Sequence, residues 1–100
     1  MRVISKKTLR AFWEDHADSQ DALLHWYKAA TKAVWDDLDQ VRRTYPHADV
    51  VKLSEADTVT VFNIKGNSYR LIARINYEFK LINIRAVMTH AQYSKGAWKK

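Results

Sequence analysis

Apolar positions recur at two different periods along the chain, and the change between them divides it. In the first part the spacing is that of a helix. Leu9, Phe12 and Trp13 stand at i, i+3 and i+4 and predict a short amphipathic helix starting at Lys6, with Ser5 placed to cap it. The segment Asp15 to Asp21 is polar and rich in capping residues. From Ala22 the set Leu23, Leu24, Tyr27, Ala30 and Val34 returns to helical spacing, and a third helical piece from about Trp35 to Tyr45 uses Leu38 and Val41. Pro46 stops it, because proline offers no N–H and disfavours the helical conformation of the residue before it. The pattern allows two helices or three.

After Ala48 the period falls to two. Thr58 to Ile64 reads TVTVFNI, a β-branched run, and Lys65-Gly66-Asn67 is a turn in which Gly66 or Asn67 takes positive φ. Ser68 to Glu78 alternates, with Tyr69, Leu71, Ala73, Ile75 and Tyr77 on one face and Arg70, Ile72, Arg74 and Asn76 on the other. Lys80 to Met88 alternates as well, setting Ile82, Ile84, Ala86 and Met88 against Leu81, Asn83, Arg85 and Val87. The short link Glu78-Phe79-Lys80 makes these two strands a hairpin. The expected fold is therefore α+β, two or three N-terminal helices packed on a small antiparallel β-sheet, in a single domain spanning residues 1–100.

Composition narrows the class. With 47% hydrophobic residues, two glycines and one proline the chain is globular rather than disordered. It has no cysteine, so disulfides and thiolate metal sites are excluded. Its start lacks the continuous apolar stretch of a signal peptide and no segment has the length of a membrane span, which makes a cytoplasmic protein without a membrane contact the expectation.

Charge then points to a partner. From Val61 onward eight basic residues face the single acid Glu78, a balance of +7, whereas the first sixty residues carry nine bases and ten acids, or −1. Such an asymmetry is a footprint for nucleic acid or an acidic protein. If the face with Tyr69, Leu71, Ala73, Ile75, Ile82, Ile84 and Ala86 packs on the helices, Arg70, Arg74 and Arg85 emerge together on the opposite face, with no acid expected nearby. That face is either an ordinary solvated sheet surface or a phosphate-binding one, since guanidinium forks match phosphate oxygens in pairs. His90, Tyr93 and Lys95 follow the arginine-bearing strand within a few residues; His titrates near neutrality and Tyr offers either a proton or a stacking ring.

Other candidates read as structure. His16 and His25 have no histidine at i+4 and His47 sits in a loop, so no metal site is expected. Trp13, Trp26 and Trp35 fit a helix–sheet core, and Asp36, Asp37 and Asp39 suit the start of a helix.

The segment Val61 to Ile72 (VFNIKGNSYRLI), the following Arg74 to Tyr77, and Ile84 to Tyr93 (IRAVMTHAQY) closely resemble the HigB family of toxins, within the wider RelE-like group. The opening Met1 to Ser5 and the Leu9 to Trp13 helix are similar to the start of that family, so the resemblance covers nearly the whole chain. It implies a RelE-like fold and a metal-independent mRNA endoribonuclease without cofactor. Such toxins generally act on transcripts at the ribosome, inhibit translation and are silenced by a HigA-type helix-turn-helix antitoxin. On the matching positions His90 is the candidate acid or base, Arg85 and Arg70 the phosphate clamps, and Tyr93 a base stacker or proton donor; Arg74, Lys65, Lys95, Lys99 and Lys100 form the RNA-binding set. Gln92 departs from the family, whose members often carry an acid there. Two alternatives stay open: a non-catalytic basic module that binds RNA or the ribosome, and a gyrase-inhibiting toxin on the same fold.

Overall fold

A computed structural model describes residues 1–99; Lys100 lies outside the described residues. Three helices come first after a short strand: β1 (Arg2–Ile4), α1 (Lys6–Asp15), a 3-10 turn at Ala17–Ser19, α2 (Gln20–Lys32) and α3 (Leu38–Thr44). Four strands follow, β2 (Asp49–Ser54), β3 (Asp57–Ile64), β4 (Tyr69–Asn76) and β5 (Leu81–Thr89), then α4 (His90–Lys95) and a last 3-10 turn at Ala97–Lys99. The five strands form one sheet in the order β1-β5-β4-β3-β2. Its neighbours are antiparallel except β1, which runs parallel to β5 with Val3 opposite Ile82.

The sheet is thus larger than expected and not wholly antiparallel. Both strands that the periodicity leaves unassigned lie at its edges, where one ladder suffices and alternation is weak: β1 is three residues long, and β2 is irregular between Lys52 and Ser54. Helix ends also shift for local reasons. Ser5 stands before α1 but its φ is 76° and its side chain caps nothing. The third helix starts at Leu38 rather than near Trp35, because Asp37 accepts the Gln40 N–H at 3.0 Å and defines the N-terminus.

The main core lies between the helices and one sheet face. Leu9, Leu23, Trp26, Ala30 and Val41 from the helices meet Phe62, Ile64, Tyr69, Leu71, Ala73, Ile82 and Ile84 from the strands. Phe62 is the centre of its aromatic part, edge-on to Trp26 and Tyr45 at 5.4 Å and stacked near Trp35 at 6.4 Å.

The other face is not left to solvent. Val59, Val61, Ile72 and Met88 form a second core, closed by Val51, Leu53, Ala86, Tyr93 and Trp98. Ala86 and Met88 were expected on the helix side; a β-bulge moves them. Ile72 pairs with Ala86 and Ala73 with Ile84, so Arg85 is an extra residue with no counterpart on β4. One inserted residue inverts the alternation beyond it. Replacing Phe62 by Ala should lower stability by about 3–5 kcal/mol, read as a shift of the urea unfolding midpoint without a change in slope.

Candidate active site at the tail of the sheet

Arg70 is 8% exposed and lies near the start of β4, where Asn67, two residues into the preceding turn, receives it. Its Nη1 donates to the carbonyls of Asn67 and Tyr69, both at 3.1 Å, and its Nη2 to Asn67 Oδ1 at 2.9 Å. The remaining Nη2 contact is His90 Nδ1 at 3.1 Å. A guanidinium only donates, so in this pair Nδ1 is the acceptor and the neutral imidazole carries its proton on Nε2. Among the described residues no carboxylate pairs with Arg70. Its charge is held by neutral acceptors and is not cancelled.

His90 is exposed and opens α4 directly after β5. Its backbone N–H donates to the Ser68 carbonyl at 3.0 Å, so both its backbone and its ring are tied to the β3–β4 turn. The helix that carries it is only six residues long and begins with a reciprocal cap. Thr89 Oγ1 accepts the Gln92 N–H at 3.2 Å, while Gln92 Oε1 accepts the Thr89 N–H at 3.0 Å. This gives the departure at Gln92 a physical meaning: its side chain holds the helix end, a task that a glutamate performs equally well.

Tyr93, one turn on, packs its ring against two neighbours. Arg70 lies 5.5 Å from the ring centroid, and Trp98 stacks on it at 5.1 Å with its indole N–H donating to the Tyr93 carbonyl at 3.0 Å. The ring is therefore engaged from within the protein, and its hydroxyl has no hydrogen-bond partner among the described residues. Lys99 lies 5.7 Å from the Trp98 ring, and Lys95 is exposed at the end of α4. Lys100, also expected to bind RNA, falls outside the described residues.

The other two arginines do not join this cluster, and the expectation of an acid-free face is corrected by Asp57. Arg74 forks onto it through Nε at 2.8 Å and Nη2 at 2.9 Å, and Arg85 Nη1 lies 3.7 Å from the same carboxylate. Two guanidiniums and one carboxylate leave a local charge of +1. Arg74 holds the Asp57 carboxyl below the usual carboxylate range, with Arg85 adding to the effect. Lys65 is also paired, its ammonium 2.8 Å from Asp18. The structure thus brings Arg70, His90 and Tyr93 together, groups Arg74 with Arg85, and places Lys65 on an acid.

Asn67, Asp57, Asp18 and Trp98 are the residues that pattern reading passed over. Asp57 was within reach, since extending the alternation of β3 by one step puts it on the face of Val59 and Val61, diagonal to Arg74. Asp18 carries no such signal, because it meets Lys65 across 47 residues of sequence. Among the described residues no three metal-ligating side chains converge.

The model of the HigB toxin family, the RelE-like toxic component of a toxin-antitoxin system, matches residues 19–96. The chain belongs to this family. It is 28% identical over 93 residues to the "mRNA interferase toxin HigB" of Escherichia coli K12, covering 93% of this chain and 88% of that one. The "mRNA interferase HigB" of Shigella flexneri matches to the same extent, and that of Escherichia coli O6:H1 is 25% identical over 95 residues, 95% of this chain and 90% of that one. For this HigB-family chain the mixed α/β architecture, with α1, α2 and α3 on one side of a mostly antiparallel sheet, agrees with the fold expected from the resemblance.

Asp18, Asp36 and Asp57 are all held below their ordinary carboxyl pKa of 3.8, chiefly by hydrogen bonds from Lys65, Lys80 and Arg74 respectively. A lowered folded value means that the unfolded chain binds more protons, so this stabilisation is present above 3.8 and disappears as pH falls through the folded values. Urea midpoints should therefore fall between about pH 5 and about pH 3, and Asp57→Asn should shrink that fall.

Proposed function

We propose that the chain is the toxin of a type II toxin–antitoxin pair and an endoribonuclease that cuts mRNA and so inhibits translation. The observation that carries this reading is Arg70, buried with no counter-ion among the described residues and with an imidazole and a tyrosine ring beside it. Phosphate affinity alone needs only exposed cations. A histidine with one nitrogen fixed and the other open to solvent is an arrangement for chemistry.

In the reaction the ribose 2′-hydroxyl gives its proton to water and attacks the adjacent phosphorus, the bond to the 5′-oxygen breaks and that oxygen takes a proton from water, so a cyclic phosphate and a free 5′-hydroxyl result. Charge builds on the phosphoryl oxygens as the attack proceeds, and the 5′-oxygen must gain a proton as it leaves. With Nδ1 bound to Arg70, His90 faces the substrate through Nε2–H and serves as a hydrogen-bond donor to a phosphoryl oxygen as charge builds there. Service as a base at Nε2 would require the other tautomer, which has no place beside a guanidinium.

Arg70 acts chiefly by orienting His90 and by its uncancelled field, because both Nη groups already have acceptors. Arg85, only loosely held at 3.7 Å, is the better phosphate clamp, with Arg74 beside it. The Tyr93 hydroxyl is its active group, since the ring is occupied by Trp98 and Arg70. Lys95, Lys99 and Lys100 extend the positive surface for RNA.

The whole chain acts as one domain, on ribosome-bound transcripts in the cytoplasm, and is held inactive by a HigA-type helix-turn-helix antitoxin. No described helix is long and apolar enough to cross a membrane. Primer extension on mRNA in a translating extract should reveal new 5′ ends with the wild-type protein. His90→Ala should reduce cutting roughly 10²–10³-fold and relieve growth inhibition while lowering the unfolding midpoint only slightly, since water can take the place of the exposed imidazole at Arg70. Intact mRNA accompanied by loss of DNA supercoiling would instead establish gyrase inhibition.

A further inference from the structure

Both attachments of His90, its backbone N–H on Ser68 and its ring on Arg70, lead back to residues 65–70, so whatever steadies that segment steadies the imidazole. The segment holds an uncommon backbone conformation. Lys65 and Gly66 both sit at positive φ, 51° and 61°, and Lys65 is not a glycine. One residue on the other side of the molecule reaches it twice. Asp18, in the 3-10 turn between α1 and α2, accepts from Lys65 Nζ at 2.8 Å with one oxygen and from the Tyr69 hydroxyl at 2.5 Å with the other.

Asp18 is itself well placed to act as an anchor. The turn that carries it is closed by Ser19, which is fully buried and donates both its N–H, at 2.9 Å, and its hydroxyl, at 2.7 Å, to the His16 carbonyl. Tyr69 is 8% exposed and edge-on to Phe12 at 5.2 Å and to His16 at 5.7 Å, and those two rings stack on each other at 4.2 Å. Tyr69 is also the residue before Arg70, and its carbonyl is one of the acceptors that hold the guanidinium. A continuous path therefore runs from the α1–α2 elbow through Asp18, Lys65 and Tyr69 to Arg70 and His90.

We propose that Asp18 is a positioning residue for the His90–Arg70 pair, and that Lys65 works through Asp18 rather than by contacting RNA. This rests on the ribonuclease reading above. The Asp18–Lys65 pair is about half exposed, so it contributes little to global stability. A small shift of a reacting group, in contrast, is costly: about 1 Å of misplacement can lower a rate on the order of 100-fold. Loss of the tether should accordingly be felt in the reaction far more than in folding.

The test uses the full chain and the variants Asp18→Asn, Tyr69→Phe and Lys65→Gln. Cutting of mRNA in a translating extract is followed at saturating toxin, and binding of an RNA oligonucleotide that lacks the 2′-hydroxyl at the scissile position is measured across a salt series. All three variants should cut about 10-fold more slowly while binding the oligonucleotide as the wild type does, and Asp18→Glu should recover part of the rate. The His90 ring and amide resonances should move in Asp18→Asn. A Lys65 that touches phosphate gives the opposite pattern: Lys65→Gln weakens binding and reduces the salt slope by about 0.7, Asp18→Asn strengthens binding, and the proposal falls. Unchanged His90 resonances in Asp18→Asn overturn it as well. If the wild type cuts no RNA, the ribonuclease reading fails, and moved His90 resonances still uphold the tether.

Discussion

Arg70 is buried with four neutral acceptors around its Nη groups and no carboxylate among the described residues, so its position is determined while its charge remains effective. A buried cation is costly unless it is well hydrogen-bonded, and here Asn67 in the turn and Tyr69 at the start of β4 supply three of the four acceptors. The fourth is the imidazole. The need to satisfy one guanidinium therefore draws Asn67, Tyr69 and His90 into a single cluster and selects the histidine tautomer within it.

The tail of the chain makes this arrangement possible. A bulge at Arg85 turns Ala86 and Met88 to the face of the sheet away from the helices, where they join Val59, Val61 and Ile72. Tyr93 and Trp98 close over these residues, which fixes α4 and with it His90. The capping box of Thr89 and Gln92 supplies the last constraint at the start of that helix. Burial of apolar area and satisfaction of backbone groups thus bring Arg70, His90 and Tyr93 together.

Charge is divided between the two ends of that face. At one end Arg70 has no acid partner among the described residues; at the other Asp57 takes most of the capacity of Arg74 and part of that of Arg85. The net charge of +6 favours an anionic partner, and beside the imidazole the charge of Arg70 meets no carboxylate among the described residues.

Local information was sufficient for the parts governed by local rules. The helical spacing of Leu9, Phe12 and Trp13, the alternation of β3, β4 and most of β5, the turn at Lys65-Gly66 and the stop at Pro46 all follow from backbone geometry within a few residues. The motif around His90 and Tyr93 was legible too, because its residues are close in sequence. The edge strands escaped, since a strand paired on one side needs little alternation, and so did the bulge, since no side chain announces an inserted residue. By itself the sequence determined the α+β division, the main core and the basic character of the second half. Only the tertiary structure decided that Asp57 pairs with Arg74 and lies close to Arg85, that Trp98 occupies the Tyr93 ring and that Asp18 reaches Lys65 and Tyr69. Those contacts join residues far apart along the chain, and their geometry exists only after the sheet has set the register between them.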